Sequence, residues 1–451
     1  MRLPVDLSLQ NARVYLDGEV REAGLAVNAG KIVKVAKDVN LPKAVEIVDV
    51  GKSIVLPGLI DAHVHLRDQD LAYKEDFSTG TAAAACGGVT LVLDMPNNEP
   101  VTMGVSRLRE RMEVAEGKVL VNVGFYSAFP EDLGEVQATV DQGAIGFKVF
   151  LSKRVGGFII DDDKVLVQAL KSAGRAGVPV AAHAEDAALI QNAKARMVAS
   201  NRNDVESYLK AHSEEAEVKS INRLTGLFNR VNLHLHICHV STASGLEDVA
   251  KAKALGCAVT CEVTPHHLLL SSRYLEKLGT VALMDPPLRS RQTVNLLWEG
   301  LGRGLVDIVA SDHAPHSLDQ KVDRSVWDVK PGVPGLETML PLLLTQVNRG
   351  HLTMQELVSL TSEKPSLIFG LTDRGRLAEG YQGDLVVVDM KREGVVDPAR
   401  FKSKAHYSPF EGYRTVGAPV MTFVNGVPVM EEGEVVAESG VGRVLRKPVM
   451  R

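Results

Sequence analysis

The 451-residue sequence has only four cysteines, no long apolar run and no cluster of basic residues. Four cysteines with apolar neighbours do not form a disulfide framework in so long a chain, so we expect buried free thiols in a reducing cytoplasm. No stretch approaches the roughly 18 to 20 apolar residues of a membrane span, and the start of the chain lacks the apolar block of a signal peptide. A formal net charge of −5 without basic runs argues against binding to nucleic acid or another polyanion.

The two ends of the chain differ in pattern from its middle. Residues 1–55 and 371–451 are short alternating runs separated by Asp-Gly, Ala-Gly and Asn-Gly pairs, which are typical of β-hairpins. Residues 56–370 alternate β-rich runs with segments that can form helices, such as "DKVLVQALKSAGRAG". These limits predict a small β-sandwich built from both chain ends, with a larger domain of residues 56–370 between its two parts.

Eight β-rich runs lie in the middle region, and each except the last is followed by a segment able to form a crossover helix. This pattern predicts an α/β fold, a (β/α)₈ barrel. An open, doubly wound sheet remains the alternative, because periodicity does not show closure. The runs are "GLIDAHVHL", "VTLVLDMP", "VLVNVGFYSAF", "AIGFKVFLS", "PVAAHAED", "LHLHICHVS", "AVTCEVTP" and "VDIVASDHAPH".

Polar side chains gather where these runs end, which is where barrels of this kind carry their chemistry. A single histidine there is more often structural, and a single aspartate usually caps the next helix. Independent structural residues, however, have no reason to share one rim. Imidazole and carboxylate suit zinc and similar divalent ions. The sequence therefore predicts a metal site at one rim, formed by His63, His65, Lys148, His183, His239 and Asp312.

Lys148 fits a metal site only in a modified form. An ammonium group repels a dication and offers no acceptor. A lysine amine that captures carbon dioxide becomes a carbamate, N6-carboxylysine, whose two oxygens can bridge two ions. Asp312 supplies one negative charge against two dications, so a bridging carbamate and a bridging hydroxide would neutralise much of the remainder. The two dications could then activate water and polarise a carbonyl. Spacing alone does not show that the carboxylation of Lys148 occurs.

The motifs "HVH", "GFKVF", "HAED", "HICHVS" and "SDHAPH" together resemble the amidohydrolase superfamily, in its cyclic-amidase branch. Within that branch the sequence is similar to dihydroorotases that keep a carboxylated lysine. The resemblance covers essentially the whole chain and implies the same barrel with a small composite β domain. It implies two zinc ions per subunit, the first bound by His63, His65 and Asp312 and the second by His183 and His239, with carboxylated Lys148 and hydroxide as bridges. It also implies that Asp312 shuttles the proton, first as base toward water and then as acid toward the leaving nitrogen.

The substrate implied by the resemblance is N-carbamoyl-L-aspartate, which cyclises reversibly to L-dihydroorotate in de novo pyrimidine (UMP) biosynthesis. In a strand, the alternate positions His63, His65 and Arg67 of the "HxHxR" pattern share one face. Arg67 is therefore placed beside the metal to grip the ring carboxylate through two parallel hydrogen bonds. Hydantoinases and allantoinases generally lack that arginine. Asn97 in "DMPN" and His316 in "DHAPH" would be further contacts, and the backbone around Pro331 and Gly332 would complete recognition of the ring.

Several alternatives remain open at this point. The same chemistry could act on another ring, as in a hydantoinase, dihydropyrimidinase or allantoinase, and Arg67 could instead pair with Asp68 or Asp70. A non-catalytic scaffold relative would typically lack metal ligands, whereas all six positions are filled here. The proline- and glycine-rich segment 313–335 is consistent with a cover over the pocket or with an ordered surface loop.

One departure from the family pattern concerns Asp285. Many dihydroorotases carry "NPPLR" after the seventh strand, whereas this sequence has "MDPPLR". An additional carboxylate facing an anionic substrate would be unfavourable, so we expect Asp285 to lie outside the site. The resemblance also implies a cytoplasmic homodimer that acts on small molecules, and no motif indicates association with aspartate carbamoyltransferase.

Overall fold

The computed structural model describes residues 3–155, 162–322 and 325–446, and seven short strands form its first part. They are β1 (Val5–Gln10), β2 (Arg13–Leu16), β3 (Glu19–Glu22), β4 (Gly24–Asn28), β5 (Lys31–Ala36), β6 (Ala44–Asp49) and β7 (Ile54–Pro57). Two-residue hairpin turns need positive φ, and they are found at Asp17 and Gly18 (φ +47° and +92°) and at Ala29 and Gly30 (φ +49° and +78°). The predicted reversals between β2 and β3 and between β4 and β5 are therefore confirmed.

Eight parallel strands form the central barrel, in the same spatial order as along the chain. They are β8 (Leu59–Val64), β9 (Val89–Asp94), β10 (Asn122–Ala128), β11 (Ala144–Phe150), β12 (Val180–His183), β13 (Leu235–Ile237), β14 (Val259–Val263) and β15 (Ile308–Val309). The last step around the barrel is made just beyond β8 and β15, where the His65 amide donates to the His313 carbonyl at 2.8 Å. The predicted (β/α)₈ barrel is confirmed, and the doubly wound sheet is excluded because it would reverse its strand order.

Helices cover the outside of the barrel, and the strands between are buried on both faces. Along β9, for example, Leu91 and Leu93 pack in one apolar cluster while Val92 between them packs in another, as expected for a period of two. The α-helices are α1 (Phe77–Cys86), α2 (Gly104–Ala115), α3 (Val136–Gln142), α4 (Asp163–Arg175), α5 (Ala187–Ala199), α6 (Val205–Ala211), α7 (Glu214–Thr225), α8 (Ala243–Ala254), α9 (Pro265–Leu269), α10 (Arg273–Leu278), α11 (Arg291–Gly302), α12 (Leu336–Asn348), α13 (Met354–Val358) and α14 (Lys364–Ile368).

The end of the chain returns to the sheet that its beginning started. Its strands are β16 (Leu385–Val395), β17 (Arg414–Val424), β18 (Val427–Glu431) and β19 (Glu434–Val435). β16 pairs antiparallel with β7, so a seven-stranded sheet contains strands from both chain ends and packs on the four-stranded sheet of β5, β4, β1 and β6. The predicted composite β domain is confirmed, whereas the limits 1–55, 56–370 and 371–451 stay predictions.

Two further expectations concern the cysteines and membranes. All four cysteines lie in the described ranges and are free; Cys238 and Cys261 are buried, whereas Cys86 and Cys257 are partly exposed. The expectation of burial therefore holds for only two of them. None of the helices that the structure describes combines the length and the apolar character needed to span a bilayer.

Candidate active site

A cavity of about 140 Å³ opens at the carboxyl ends of the barrel strands. Ten of the predicted site residues line it: His63, His65, Arg67, Asn97, His183, His239, Asp312, His316, Pro331 and Gly332. Lys148, the remaining one, lies below the cavity surface and is only 2% exposed. Residues that we did not predict also line the cavity, namely Phe150, Lys153, Asp285, Ala314 and Lys330. The structure therefore brings the predicted residues of the strand ends together.

The first group of possible metal ligands is centred on Asp312. The Nε2 atoms of His63 and His65 lie 3.3 Å and 3.2 Å from the same carboxylate oxygen of Asp312. Their other ring nitrogens are held from behind: His63 Nδ1 is 2.5 Å from Glu262, and His65 Nδ1 is 2.7 Å from the side-chain oxygen of Asn97. Such outer partners fix the orientation and tautomer of metal-binding histidines.

The second group consists of His183 and His239. His183 Nδ1 lies 3.0 Å from His239 Nε2, and the other nitrogen of His183 is 2.9 Å from Glu185. His239 Nδ1 is buried without a hydrogen-bond partner among the described residues. The rings of His63 and His239 are 5.2 Å apart, so the two groups are neighbours across the cavity floor.

Burial sets the protonation state of these groups. It lowers the pKa of His63, His65 and His239, so all three are neutral and their ring nitrogens offer lone pairs. Burial also raises the pKa of Asp312. Neutral imidazoles converging on a carboxylate are the donor set that suits zinc and related ions. The group of His63, His65 and Asp312 therefore fits a divalent cation.

Lys148 lies on β11, with its amine 2.8 Å from Cys238 Sγ and 5.1 Å from the centre of the Phe150 ring. After burial, the positive charge of Lys148 is the next cause that lowers the pKa of His63. An ammonium at this place opposes the binding of a cation by the histidines. A carbamate on the same nitrogen would replace this repulsion by two anionic oxygens, which fits the predicted modification.

Arg67 reaches the cavity for a different reason than predicted. Alternation along one strand would place it on the same face as His63 and His65, but β8 ends at Val64. Arg67 and the two residues after it adopt left-handed conformations, with φ of +54°, +51° and +50°. Because this backbone is unfavourable for residues other than glycine, surrounding contacts must hold it in place.

The buried pair of Asp94 and Arg111 provides those contacts. Asp94 accepts the Leu66 amide at 2.8 Å, and the guanidinium of Arg111 donates to Asp94 at 2.8 Å and to the Arg67 carbonyl at 2.6 Å. Arg111 lies on α2, and its guanidinium stacks 4.3 Å from the Phe77 ring of α1. Two helices of the barrel therefore fix the turn that presents Arg67.

Another part of the cavity wall is formed by His316 and the backbone near Gly332. His316 Nε2 lies 3.1 Å from the Pro331 carbonyl and 3.4 Å from Arg67 Nη2. At Gly332 (φ +140°) a Cβ atom would lie 2.4 Å from the Ala314 carbonyl oxygen, so only glycine fits there. Pro331 and Gly332 belong to segment 313–335, for which a cover over the pocket and an ordered surface loop were both expected alternatives, and both residues line the cavity. Residues 323–324 of this segment lie outside the described ranges.

The expectation that Asp285 lies outside the site is wrong. Asp285 lines the cavity, and its carboxylate is 3.1 Å from His212 Nδ1, which is also 3.2 Å from Glu185. Burial alone would lower the pKa of His212, but the carboxylates of Glu185 and Asp285 raise it to about 10. The protonated imidazole is shared by Glu185 and Asp285 and offsets part of their charge, which weakens the objection to a carboxylate at this position.

Sequence reasoning also missed Glu262 and Glu185, which support the possible ligands from behind. Glu262 is buried on β14 and contacts His63, His236 and the backbone amide of His239. Burial alone would raise its pKa, yet His63 and His236 hold it below the usual range. A carboxylate inside the apolar run "TCEVTP" was the available signal, because such a group is buried only with partners.

The fold and this arrangement of donors are those of a metal-dependent hydrolase, and the family comparison agrees. A model of the amidohydrolase family matches residues 54–429, and the chain belongs to this family. The dihydroorotase of Methanothermobacter thermautotrophicus is 39% identical over 435 residues, 96% of this chain and 96% of the relative. The dihydroorotase of Bacillus cytotoxicus is 36% identical, over 92% of this chain and 96% of the relative. An L-hydantoinase of Paenarthrobacter aurescens is 32% identical, over 98% of both chains.

Solved structures show the same architecture over nearly the whole length. The L-hydantoinase (dihydropyrimidinase) from Arthrobacter aurescens has a TM-score of 0.95 and 32% identity, covering 98% of this chain and 100% of its own. A dihydropyrimidinase from Brevibacillus agri has a TM-score of 0.92 and 27% identity, covering 98% and 99%. The fold is therefore shared by relatives with different names, so the residues around the cavity must decide the substrate.

Proposed function

We propose that this protein is a dihydroorotase, which interconverts N-carbamoyl-L-aspartate and L-dihydroorotate in pyrimidine biosynthesis. The observation that carries the proposal is the placement of Arg67 and His316 in one cavity with the ligand group of His63, His65 and Asp312. A guanidinium beside a metal site suits a ring that carries a carboxylate in addition to the amide to be cleaved. The dihydroorotases among the similar relatives support the choice of dihydroorotase within the class of cyclic-amide hydrolases.

The proposal includes two zinc ions. His63, His65 and Asp312 would hold the first ion, His183 and His239 the second, and a carboxylated Lys148 would bridge them. When bound, the ions would polarise the amide carbonyl and make the attacking water more acidic.

The residues of the chain would then perform the remaining steps. In the hydrolytic direction, Asp312 takes a proton from the attacking water and delivers it to the leaving ring nitrogen, and the reverse order serves cyclisation. Arg67, Asn97 and His316 hold the ring carboxylate and so keep the carbonyl aligned with Asp312. The backbone at Pro331 and Gly332 contacts the ring itself.

The same proposal expects a cytoplasmic enzyme with a small-molecule substrate, assembled as a homodimer. A cavity of about 140 Å³ suits a substrate of this size.

A hydantoinase or dihydropyrimidinase is the second candidate. The observation in its favour is the L-hydantoinase structure, with a TM-score of 0.95 over 98% of this chain. Hydantoin and dihydrouracil lack the carboxylate of dihydroorotate, so an enzyme for these rings gains nothing from Arg67 at the cavity wall. The two candidates therefore differ in the role that they give to Arg67.

Ring opening of L-dihydroorotate, hydantoin, dihydrouracil and allantoin by wild type, Arg67→Met and Arg67→Lys tests the assignment. We expect wild type to prefer dihydroorotate. Arg67→Met should lose at least about thirtyfold in kcat/KM, which corresponds to ~2 kcal/mol for a truncated charge pair, while retaining its metal content. Arg67→Lys keeps the charge but not the paired hydrogen bonds, so its kcat/KM should lie between those of wild type and Arg67→Met. Preference for hydantoin or dihydrouracil, with no effect of Arg67→Met, would overturn the assignment.

A further inference from the structure

Arg67 and Lys74 stand at the two ends of one short loop. The amide of Asp68 donates to the carbonyl of Glu75 at 2.9 Å, which closes the loop between them. Glu75 is buried, and its carboxylate lies 3.3 Å from His313 Nε2, so the end of the loop that carries Lys74 is anchored to the residue after Asp312. The side chain of Lys74 is buried rather than spread into solvent.

The ammonium of Lys74 is directed at His316, with its Nζ 3.3 Å from His316 Nδ1. Burial and the charge of Arg67 lower the pKa of Lys74 to about 8, so Lys74 is protonated at neutral pH. An ammonium can only donate, so His316 Nδ1 must accept this hydrogen bond. The charges of Arg67 and Lys74, added to burial, also lower the pKa of His316 and keep its ring neutral.

The opposite nitrogen of His316 must then carry the proton. His316 Nε2 lies 3.1 Å from the carbonyl oxygen of Pro331, which can only accept, and this contact requires the same tautomer. Two contacts on opposite sides of the ring therefore agree that Nε2 carries the hydrogen and Nδ1 does not. The identity of the tautomer follows from the chemistry of the partners.

This tautomer changes the meaning of the contact between His316 and Arg67. Their nitrogens are 3.4 Å apart, but both carry hydrogens and neither can accept from the other. The Pro331 carbonyl already accepts the single hydrogen of His316 Nε2, so an acceptor that enters the cavity must share this hydrogen with Pro331 while it also accepts from Arg67. A carboxylate, with two oxygens and several lone pairs, meets this need, whereas a ring N–H or C–H does not.

We propose that Lys74 is a positioning residue that makes the enzyme selective for a carboxylate-bearing ring, by locking His316 in the tautomer that donates from Nε2. The inference rests on the proposed function, because the carboxylate it selects is that of dihydroorotate. Lys74 acts through His316 and does not line the cavity. Without Lys74, only the Pro331 carbonyl favours a hydrogen on Nε2, whereas the Arg67 guanidinium at 3.4 Å favours an unprotonated Nε2, so His316 can exchange between tautomers. The form with an unprotonated Nε2 repels a carboxylate oxygen.

The test compares Lys74→Met, Lys74→Gln and a matched control, Lys118→Met, in the metal-loaded enzyme. Lys118 is a lysine near the same loop, 3.5 Å from Asp68, but its side chain is 45% exposed and it does not contact His316. Lys74→Gln removes the charge but keeps an N–H donor, so it separates the hydrogen bond from a general effect of charge. The readouts are kcat and KM for L-dihydroorotate and the His316 tautomer, from long-range ¹H–¹⁵N spectra of ¹⁵N-histidine-labelled enzyme assigned with His316→Gln.

We expect Lys74→Met to raise KM roughly tenfold, as for the loss of one well-placed hydrogen bond, with a smaller change in kcat. His316 should become a mixture of tautomers in this variant, remain largely protonated at Nε2 in Lys74→Gln and be unchanged in Lys118→Met. If Lys74→Met keeps the wild-type KM and tautomer, or if Lys74→Gln equals Lys74→Met with His316 unaltered, the inference is overturned while the proposed function stands. If wild type does not act on dihydroorotate at all, the proposed function fails first.

Discussion

Replacement of Arg111 by methionine should destabilise the protein by about 3–5 kcal/mol, because it leaves one partner of a buried ion pair without the other. The side chains of Arg111 and Asp94 are 0% and 1% exposed and 2.8 Å apart. Water therefore cannot replace the lost hydrogen bonds. Arg111→Met also removes the donor at 2.6 Å from the Arg67 carbonyl, which helps to hold an unfavourable left-handed turn. Activity toward dihydroorotate should consequently fall together with stability.

The control for this prediction is Arg107→Met on the same helix. Arg107 pairs with Glu110 at 2.8 Å, but its side chain is 51% exposed, and exposed pairs contribute only about 0.2–1 kcal/mol. Urea denaturation followed by circular dichroism measures both variants, and the shift of the midpoint compares them. Asp94→Asn combined with Arg111→Met should recover part of the loss, because the charge without a partner is gone. Equal shifts for Arg111→Met and Arg107→Met would refute the reasoning that burial makes the Arg111–Asp94 pair more stabilising than an exposed pair.

Two further predictions concern a buried lysine and the metal. The ammonium of Lys321 donates to the carbonyls of Leu283 and Gly332 at 2.7 Å and 2.8 Å, and burial lowers its pKa from 10.5 to about 7. Between these values the unfolded chain binds a proton that the folded chain has released, so this group should raise stability with pH by about 1.4 kcal/mol per unit. Thermal unfolding from pH 7 to 10 should show this rise in wild type relative to Lys321→Met, and parallel curves would contradict it. Removal of metal by a chelator should abolish activity. Zinc with bicarbonate should restore more activity than zinc alone, because a carboxylated Lys148 needs carbon dioxide. Equal recovery in both cases would count against the carbamate.

The barrel was predictable because its strands are buried on both faces. Such strands appear in the sequence as short apolar runs, and all eight runs became β8 to β15. The possible ligands were predictable once the strands were known, because parallel strands in one barrel end at one rim. His183 and His239, for example, are 56 positions apart and come within 3.0 Å.

The role of Arg67 shows where local periodicity stops being informative. Alternation along a strand grouped it with His63 and His65, but the strand ends at Val64, and Arg67 reaches the cavity through a left-handed turn held by Arg111. Nothing in the local sequence indicates that the Arg111 guanidinium of α2 donates to the Arg67 carbonyl.

Asp285 shows the corresponding limit for electrostatics. Its charge argued for exclusion from the cavity, because an additional carboxylate would face an anionic substrate. His212, which precedes it by 73 positions and comes from another part of the barrel wall, supplies the compensating charge at 3.1 Å.

The sequence by itself determined the class of fold and the set of possible metal ligands. Buried strands and the polar residues at their ends can both be recognised in short segments of the sequence. Only the tertiary structure decided how those ligands are held and what the cavity can recognise. Glu262 behind His63, Asn97 behind His65 and Lys74 behind His316 are each brought into place by packing between distant segments. Hydrogen-bond direction and charge balance depend on distances of about 3 Å between such segments, and local patterns carry no information about them.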